Sequence, residues 1–176
     1  IATSDEEIIQ KIIGVCKRDP RSGKVTTGGI VTVKDSTENW YLSWTINRQP
    51  QFKSQDKNMV LVWVYSLNTN RPGNYVKKAM RDCTGEEVAQ EWLYHIGVSE
   101  DKIKDYAKNR CNTTTCFMPY INALFQPRKE EDRPLVVPHG AVNFAFVGQF
   151  AETPRDTIFT TEYSIRTGME AVYTLL

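Results

Sequence analysis

The sequence predicts a mixed α/β fold of the α+β kind, on three observations. Apolar residues recur at helical spacing in some stretches, as at Ile8, Ile9, Ile12 and Ile13. They alternate with period two in others, such as residues 40–47. Turn-forming strings, such as Arg71-Pro72-Gly73-Asn74, separate the two kinds of stretch. At 176 residues the chain has room for one domain or for a large piece of something bigger.

Taken in order, Ser4 and Glu7 have the spacing of a capping box, opening a helix whose isoleucines form one stripe. Residues 24–34 are rich in Val and Thr and predict a strand. In residues 40–47, Tyr41, Ser43 and Thr45 alternate with Leu42, Trp44 and Ile46, which predicts a second. A third spans 59–67, with Val60, Val62 and Val64 on one face and Leu61, Trp63 and Tyr65 on the other, so both faces are expected to be buried. Thr84 and Glu87 repeat the capping-box pattern before a helix carrying Val88, Trp92 and Ile96, which should end near Gly97. Ser99 starts a short polar helix to about Arg110. Residues 127–132 form a charged connector, 133–138 are extended, and 142–147 predict a strong buried strand. A last helix starts at Thr160 or Thr161, with Ile165, Met169, Val172 and Leu176 on one face. The chain opens without Met and ends on that helix without a stop signal, so a truncated piece of a longer protein is expected.

Composition narrows the function classes. With 40% hydrophobic and 24% charged residues, collagenous, coiled-coil and disordered classes are excluded. No apolar run approaches the roughly 20 residues needed to span a bilayer. A net charge of +1 leaves no electrostatic footprint for nucleic acid. Cys16, Cys83, Cys111 and Cys116 include no CxxC pair, and only two histidines are present, so no metal site is expected. No secretory leader pattern opens the sequence, and a reducing cytoplasm is the expected compartment.

Two stretches carry chemistry. In the first, Asn143–Gln149 leads through a loop to a helix start with Thr160, Thr161 and Ser164. A strand ending in Gly148 and a helix N-terminus suit a phosphate-bearing cofactor. The same string also serves as an ordinary strand, turn and capped helix, and no GxGxxG or P-loop is present. In the second, Trp44-Thr45-Ile46-Asn47-Arg48-Gln49-Pro50-Gln51 brings an indole, a hydroxyl, amides and a guanidinium to a strand end. That set can hold a carboxylate, although as an isolated pattern it reads first as structural. His95 reads as a half-exposed residue of a helix C-terminal turn, and His139 as a solvated turn residue. Cys111 and Cys116, five apart, read as packed or free thiols before they read as a pair or as metal ligands.

Longer strings resemble a known family. Arg133-Pro134…Val137-Pro138, Asn143 through Glu152, Pro154-Arg155-Asp156-Thr157, Thr161-Glu162-Tyr163-Ser164 and Met169-Glu170-Ala171-Val172-Tyr173 resemble the oleate hydratases. These FAD-dependent bacterial fatty-acid hydratases were long called myosin-cross-reactive antigens. Gly29-Ile30-Val31-Thr32, residues 40–50, Asp82 through Glu87, Glu91-Trp92-Leu93-Tyr94 and Met118-Pro119-Tyr120-Ile121 extend the resemblance over nearly the whole chain. It implies part of a flavin-binding Rossmann-like fold with an inserted substrate domain. Residues 1–137 would be substrate-domain and connecting region, and 138–176 the return strand and helix of the FAD domain. It also implies an unsaturated fatty acid as substrate, water added across its cis double bond, FAD as cofactor, a homodimer, and peripheral membrane contact. The family's glycine-rich loop and its hydrating acidic and tyrosine residues are not in this chain, so no residue here is assigned as catalytic. By resemblance Thr45, Asn47 and Gln51 bind the substrate carboxylate, although the family usually has His at the position of Gln51. Gly148, Gln149, Thr161, Glu162 and Ser164 are the expected cofactor-facing residues. A flavin oxidoreductase relative and a non-catalytic lipid-binding module are the competing readings.

Overall fold

The structure is a computed structural model of the chain. It describes residues 1–22, 38–66, 68–116, 129, 131–154 and 161–176 in full, and the backbone of 29–32. The chain divides into two compact units, Ile1–Phe117 and Met118–Leu176. Helices mix with small antiparallel sheets, so the α/β expectation holds.

The first unit starts with β1 (Ala2–Thr3) and α1 (Glu6–Cys16). The cap of α1 is Asp5, not Ser4: its carboxylate accepts from the Ile8 amide at 3.0 Å. The expected Ser4–Glu7 box does not form, because Glu7 is recruited by Tyr106 and Lys102 on a distant helix. The stripe is as expected, with Ile8, Ile9 and Ile12 fully buried. β2 (Gly29–Thr32), β3 (Leu42–Ile46) and β5 (Trp63–Ser66) make a three-stranded antiparallel sheet with β3 in the middle. Residues 24–28 and 33–34 of the first predicted strand lie outside the described residues.

The third predicted strand is split. β4 (Val60–Leu61) pairs with β1, whereas β5 pairs with β3. At the break, Val62 exchanges backbone hydrogen bonds with Ile1, each at 2.8 Å. Only one face of this segment is buried. Val60 and Val62 enter the core, while Trp63 and Tyr65 are 58% and 41% exposed. An alternating apolar run on both faces had suggested full burial; the described residues place no layer over the second face.

A 3-10 turn at Met80–Asp82 precedes α2 (Gly85–His95) and α3 (Glu100–Asn109). The Thr84–Glu87 capping box is fully formed. Gly97 follows α2 at φ +82°, a left-handed conformation that favours glycine and stops the helix. Ile8, Ile12, Trp40, Leu42, Trp44, Trp92, Leu93 and Ile103 knit α1, the sheet, α2 and α3 into one apolar core.

The second unit is thinner. Residues 142–147 form no ladder among the described residues, and Val142, Phe144, Phe146 and Val147 are exposed, which corrects the expected buried strand. Within the segment the Phe146 amide donates to the Val136 carbonyl at 2.8 Å, and on its flanks a parallel bridge joins Leu135 and Glu152. An apolar run states that a segment can be buried, not that a neighbour lies beside it. α4 (Thr161–Leu175) buries Tyr163, Thr167 and Ala171. The expected face of Ile165, Met169, Val172 and Leu176 is exposed instead.

Candidate functional site

Side chains alternate across β3, so Leu42, Trp44 and Ile46 fill the core while Ser43 and Thr45 face the other way. Trp44 therefore leaves the predicted set: its indole is 2% exposed and packs inward. Across the sheet, Thr45 stands opposite Trp63 and Ser43 opposite Tyr65. Directly opposed residues share a face with their Cβ atoms about 5 Å apart. Two exposed aromatic rings thus flank the two hydroxyls.

Beyond β3 the chain runs through Asn47, half-buried, and Arg48, exposed, into a loop that returns at β4. Two glutamines lock this loop. Gln49, 3% exposed, donates through Nε2 to the carbonyls of Asn47 (2.9 Å) and Leu61 (3.3 Å). Its Oε1 accepts from Gln55 Nε2 at 2.6 Å and from the Leu61 amide at 3.3 Å. Gln55 Nε2 also donates to the Met59 carbonyl at 2.7 Å, and Gln55 Oε1 accepts the Gln51 amide at 2.8 Å. The backbone amide of Gln49 is bound as well, to the Pro20 carbonyl at 2.9 Å, and the Gln49–Pro50 peptide is cis. A buried carboxamide with donors and acceptor satisfied rigidifies what it touches, and here it holds the Asn47 carbonyl directly and the Gln51 amide through Gln55.

Gln51 reaches back to the sheet, where its Oε1 accepts from Trp63 Nε1 at 3.3 Å. Trp63 therefore links two of the three predicted residues, as the cross-strand neighbour of Thr45 and the hydrogen-bond partner of Gln51. The hydroxyl of Thr45 and the carboxamides of Asn47 and Gln51 are neutral donors. With the charge of Arg48, the next residue after Asn47 in the chain, they match in kind an anion that offers about four lone-pair sites. The string singled out in the sequence contains these donors and Gln49, and misses Gln55 and Trp63. The one available signal was three glutamines at 49, 51 and 55 in a loop bounded by apolar strands.

The cofactor-facing residues fall at separate points of the second unit. Gly148 has φ +93°, which accounts for glycine there, and its amide donates to Thr167 Oγ1 at 2.9 Å. That amide is spoken for. The Gln149 carbonyl accepts from Arg133. Thr161 and Glu162 are exposed and Ser164 half-buried in the first turn of α4, whereas Gly148 meets the helix further along, at Thr167. The loop at 155–160, including Thr160, lies outside the described residues. The donor set of the first turn fits one edge of a nucleotide cofactor: a carboxylate suits ribose hydroxyls, and two hydroxyls can donate to oxygen.

Other titratable groups are occupied by structure. Glu91, 1% exposed, accepts the amides of Asn74 (2.6 Å), Tyr75 (2.8 Å) and Val76 (2.7 Å) and lies 3.0 Å from His95 Nε2. Burial pushes its carboxyl up, but these hydrogen bonds together outweigh it and hold the group below its usual value. Cys111 is buried, its thiol pushed up to about 11 by burial, and Cys116 is exposed.

The model of the MCRA family matches residues 1–173. An oleate hydratase of Streptococcus pyogenes serotype M49 (strain NZ131) is 57% identical over 161 residues, covering 90% of this chain and 27% of that protein. A linoleate hydratase of Lactiplantibacillus plantarum is 31% identical over 183 residues, covering 98% of this chain and 32% of that protein. The chain therefore spans about a quarter to a third of the length of these curated relatives.

Proposed function

The chain belongs to the MCRA family, and on that premise we propose that it is the segment of a fatty-acid hydratase that grips the carboxylate end of the substrate. The reaction adds water across the cis double bond of an unsaturated fatty acid, such as oleate, and yields a hydroxy fatty acid. One observation carries the reading: Thr45, Asn47 and Gln51 present neutral donors around a loop locked by Gln49 and Gln55, beside the exposed ring of Trp63.

Hydration requires an acid to protonate the alkene and a base to position water, and in this reading both come from elsewhere in the longer protein. This chain binds and registers. Three donors and the Arg48 charge hold the carboxylate, while the Trp63 and Tyr65 rings offer apolar surface to the first methylenes. Fixing one end of a fatty acid sets which carbons reach the reacting groups, so binding at this end also orients the alkene. Residues 1–137 act as part of the substrate domain and 138–176 as part of an FAD domain of Rossmann-like form. FAD, when bound, supplies site organisation and charge stabilisation without net electron transfer. Thr161, Glu162 and Ser164 would hold one edge of it, with Gly148 and Gln149 shaping the approach. A homodimer with peripheral membrane contact in the cytoplasm completes the reading, by resemblance to the family; among the described residues no helix is long and apolar enough to cross a membrane.

The test is Asn47→Ala in the full-length protein, assayed by product mass with oleate. A charge-assisted hydrogen bond contributes about 1.5–3 kcal/mol, so apparent KM should rise roughly ten- to a hundredfold, with a smaller loss in kcat. A product heavier than oleate by one water marks a hydratase. Unchanged kinetics would mean that this strand end does not hold the carboxylate.

A further inference from the structure

A carboxamide keeps nearly the same shape when turned half a revolution about its last bond, yet only one orientation offers donors to an anion. At Gln51 the neighbour decides which. Indole Nε1 carries a hydrogen and cannot accept, so the Gln51 atom 3.3 Å from Trp63 Nε1 must be the acceptor Oε1. Nε2, with its two N–H groups, is then turned away from Trp63. Gln51 is also held from behind, because its backbone amide donates to Gln55 Oε1 at 2.8 Å. Trp63 itself sits in β5 directly opposite Thr45. The residue that turns the Gln51 carboxamide is thus ladder-paired with another of the proposed donors.

We propose that Trp63 is a positioning residue for carboxylate recognition, its indole N–H holding the Gln51 carboxamide with the amino group toward the bound carboxylate. The inference rests on the carboxylate reading above and assigns a role that this reading does not contain. Without the indole N–H, the Gln51 carbonyl oxygen is free to turn toward the carboxylate, where oxygen meets oxygen. The Trp63 ring is more than half exposed, so Trp63→Phe keeps an aromatic ring at the surface and removes the donor without opening the core.

The experiment uses the full-length protein with oleate as probe and compares Trp63→Phe, Gln51→Ala, the double variant and Asn47→Ala. Loss of one neutral hydrogen bond predicts a three- to tenfold rise in apparent KM for Trp63→Phe, with a much smaller change in kcat. In the Gln51→Ala background, Trp63→Phe should add nothing further, since there is no carboxamide left to orient. An equal effect of Trp63→Phe in both backgrounds would overturn the proposal, because the ring would then act on its own. So would an unchanged KM in Trp63→Phe when Asn47→Ala raises it. Silence of Asn47→Ala, Gln51→Ala and Trp63→Phe together would instead discard the carboxylate reading beneath it.

Discussion

At the scale of single residues, Glu91 shows how much one buried charge can organise. Its carboxylate closes the turn at residues 73–76 by accepting three successive amides, and it anchors His95 one helical turn along α2. Gly73 belongs to the same arrangement, since a Cβ there would sit 2.5 Å from Glu91 Oε2 and 2.7 Å from the Val76 carbonyl. Glu91→Gln should turn an amino group toward donors and lower unfolding free energy by about 3 kcal/mol or more, measured by urea denaturation. The pH dependence follows from the depressed carboxyl. The stabilisation is fully present above the ordinary value of 4.5 and is lost as pH falls through the lower folded-state value, so the gap between parent and variant should close in acid. A second residue-scale prediction concerns Gln51→His. An imidazole titrates near about 6.5 and gains charge below it, so oleate binding should tighten as pH falls through that range. The Trp63 N–H, donating to the ring, favours the neutral form and should shift the transition below that of a free histidine. A pH series of KM from 5.5 to 7.5, spanning the ordinary histidine titration near about 6.5, reads both effects.

At the scale of elements, the helix caps separate what is local from what is not. The Thr84–Glu87 box was legible because donor, acceptor and helix lie within one turn. The Ser4–Glu7 box had the same spacing and did not form, because Tyr106 and Lys102, nearly a hundred residues away, take Glu7. Asp5 caps instead and also pairs with Arg110 at 2.8 Å. Thr84→Ala should therefore cost about 1 kcal/mol, and Asp5→Ala distinctly more, because it removes a cap and a tie between α1 and the end of α3. Thermal melts of the two variants rank them. The same distinction governs the site. Thr45, Asn47 and Gln51 could be named from one continuous string, but Trp63 joins them only through the β3–β5 register, which no local pattern contains. The 142–147 run and the outer stripe of α4 misled for a related reason: hydrophobicity is written in the sequence, whereas the identity of the covering surface is not.

At the scale of the whole molecule, the two units differ in how well they are filled. Tryptophans and branched aliphatics fill the core of the first unit, while the described buried apolar residues of the second are Val136, Ala151, Tyr163 and Ala171. Hydrogen exchange should be slow in α1, α2 and β3 and fast through 131–154. The exposed stripe of Ile165, Met169 and Val172 makes the isolated 176-residue chain adhesive, so Met169→Lys with Val172→Lys should reduce both its aggregation and its binding of an apolar dye. Finally, the first unit is laced together at its two extremities. Ala2 and Asn112 exchange backbone hydrogen bonds at 2.8 Å, Thr3 Oγ1 donates to the Arg110 carbonyl, and Asp5 and Glu7 reach Arg110 and Tyr106. On the ribosome, none of these ties can form until α3 has been made. At about 5–20 residues per second, α1 emerges and then waits on the order of 5–20 s for the α3 side of its core. That interval is a window for chaperone capture. Nascent chains stalled with Arg110 inside the exit tunnel should be cut readily at α1, and those stalled with Cys116 outside should resist.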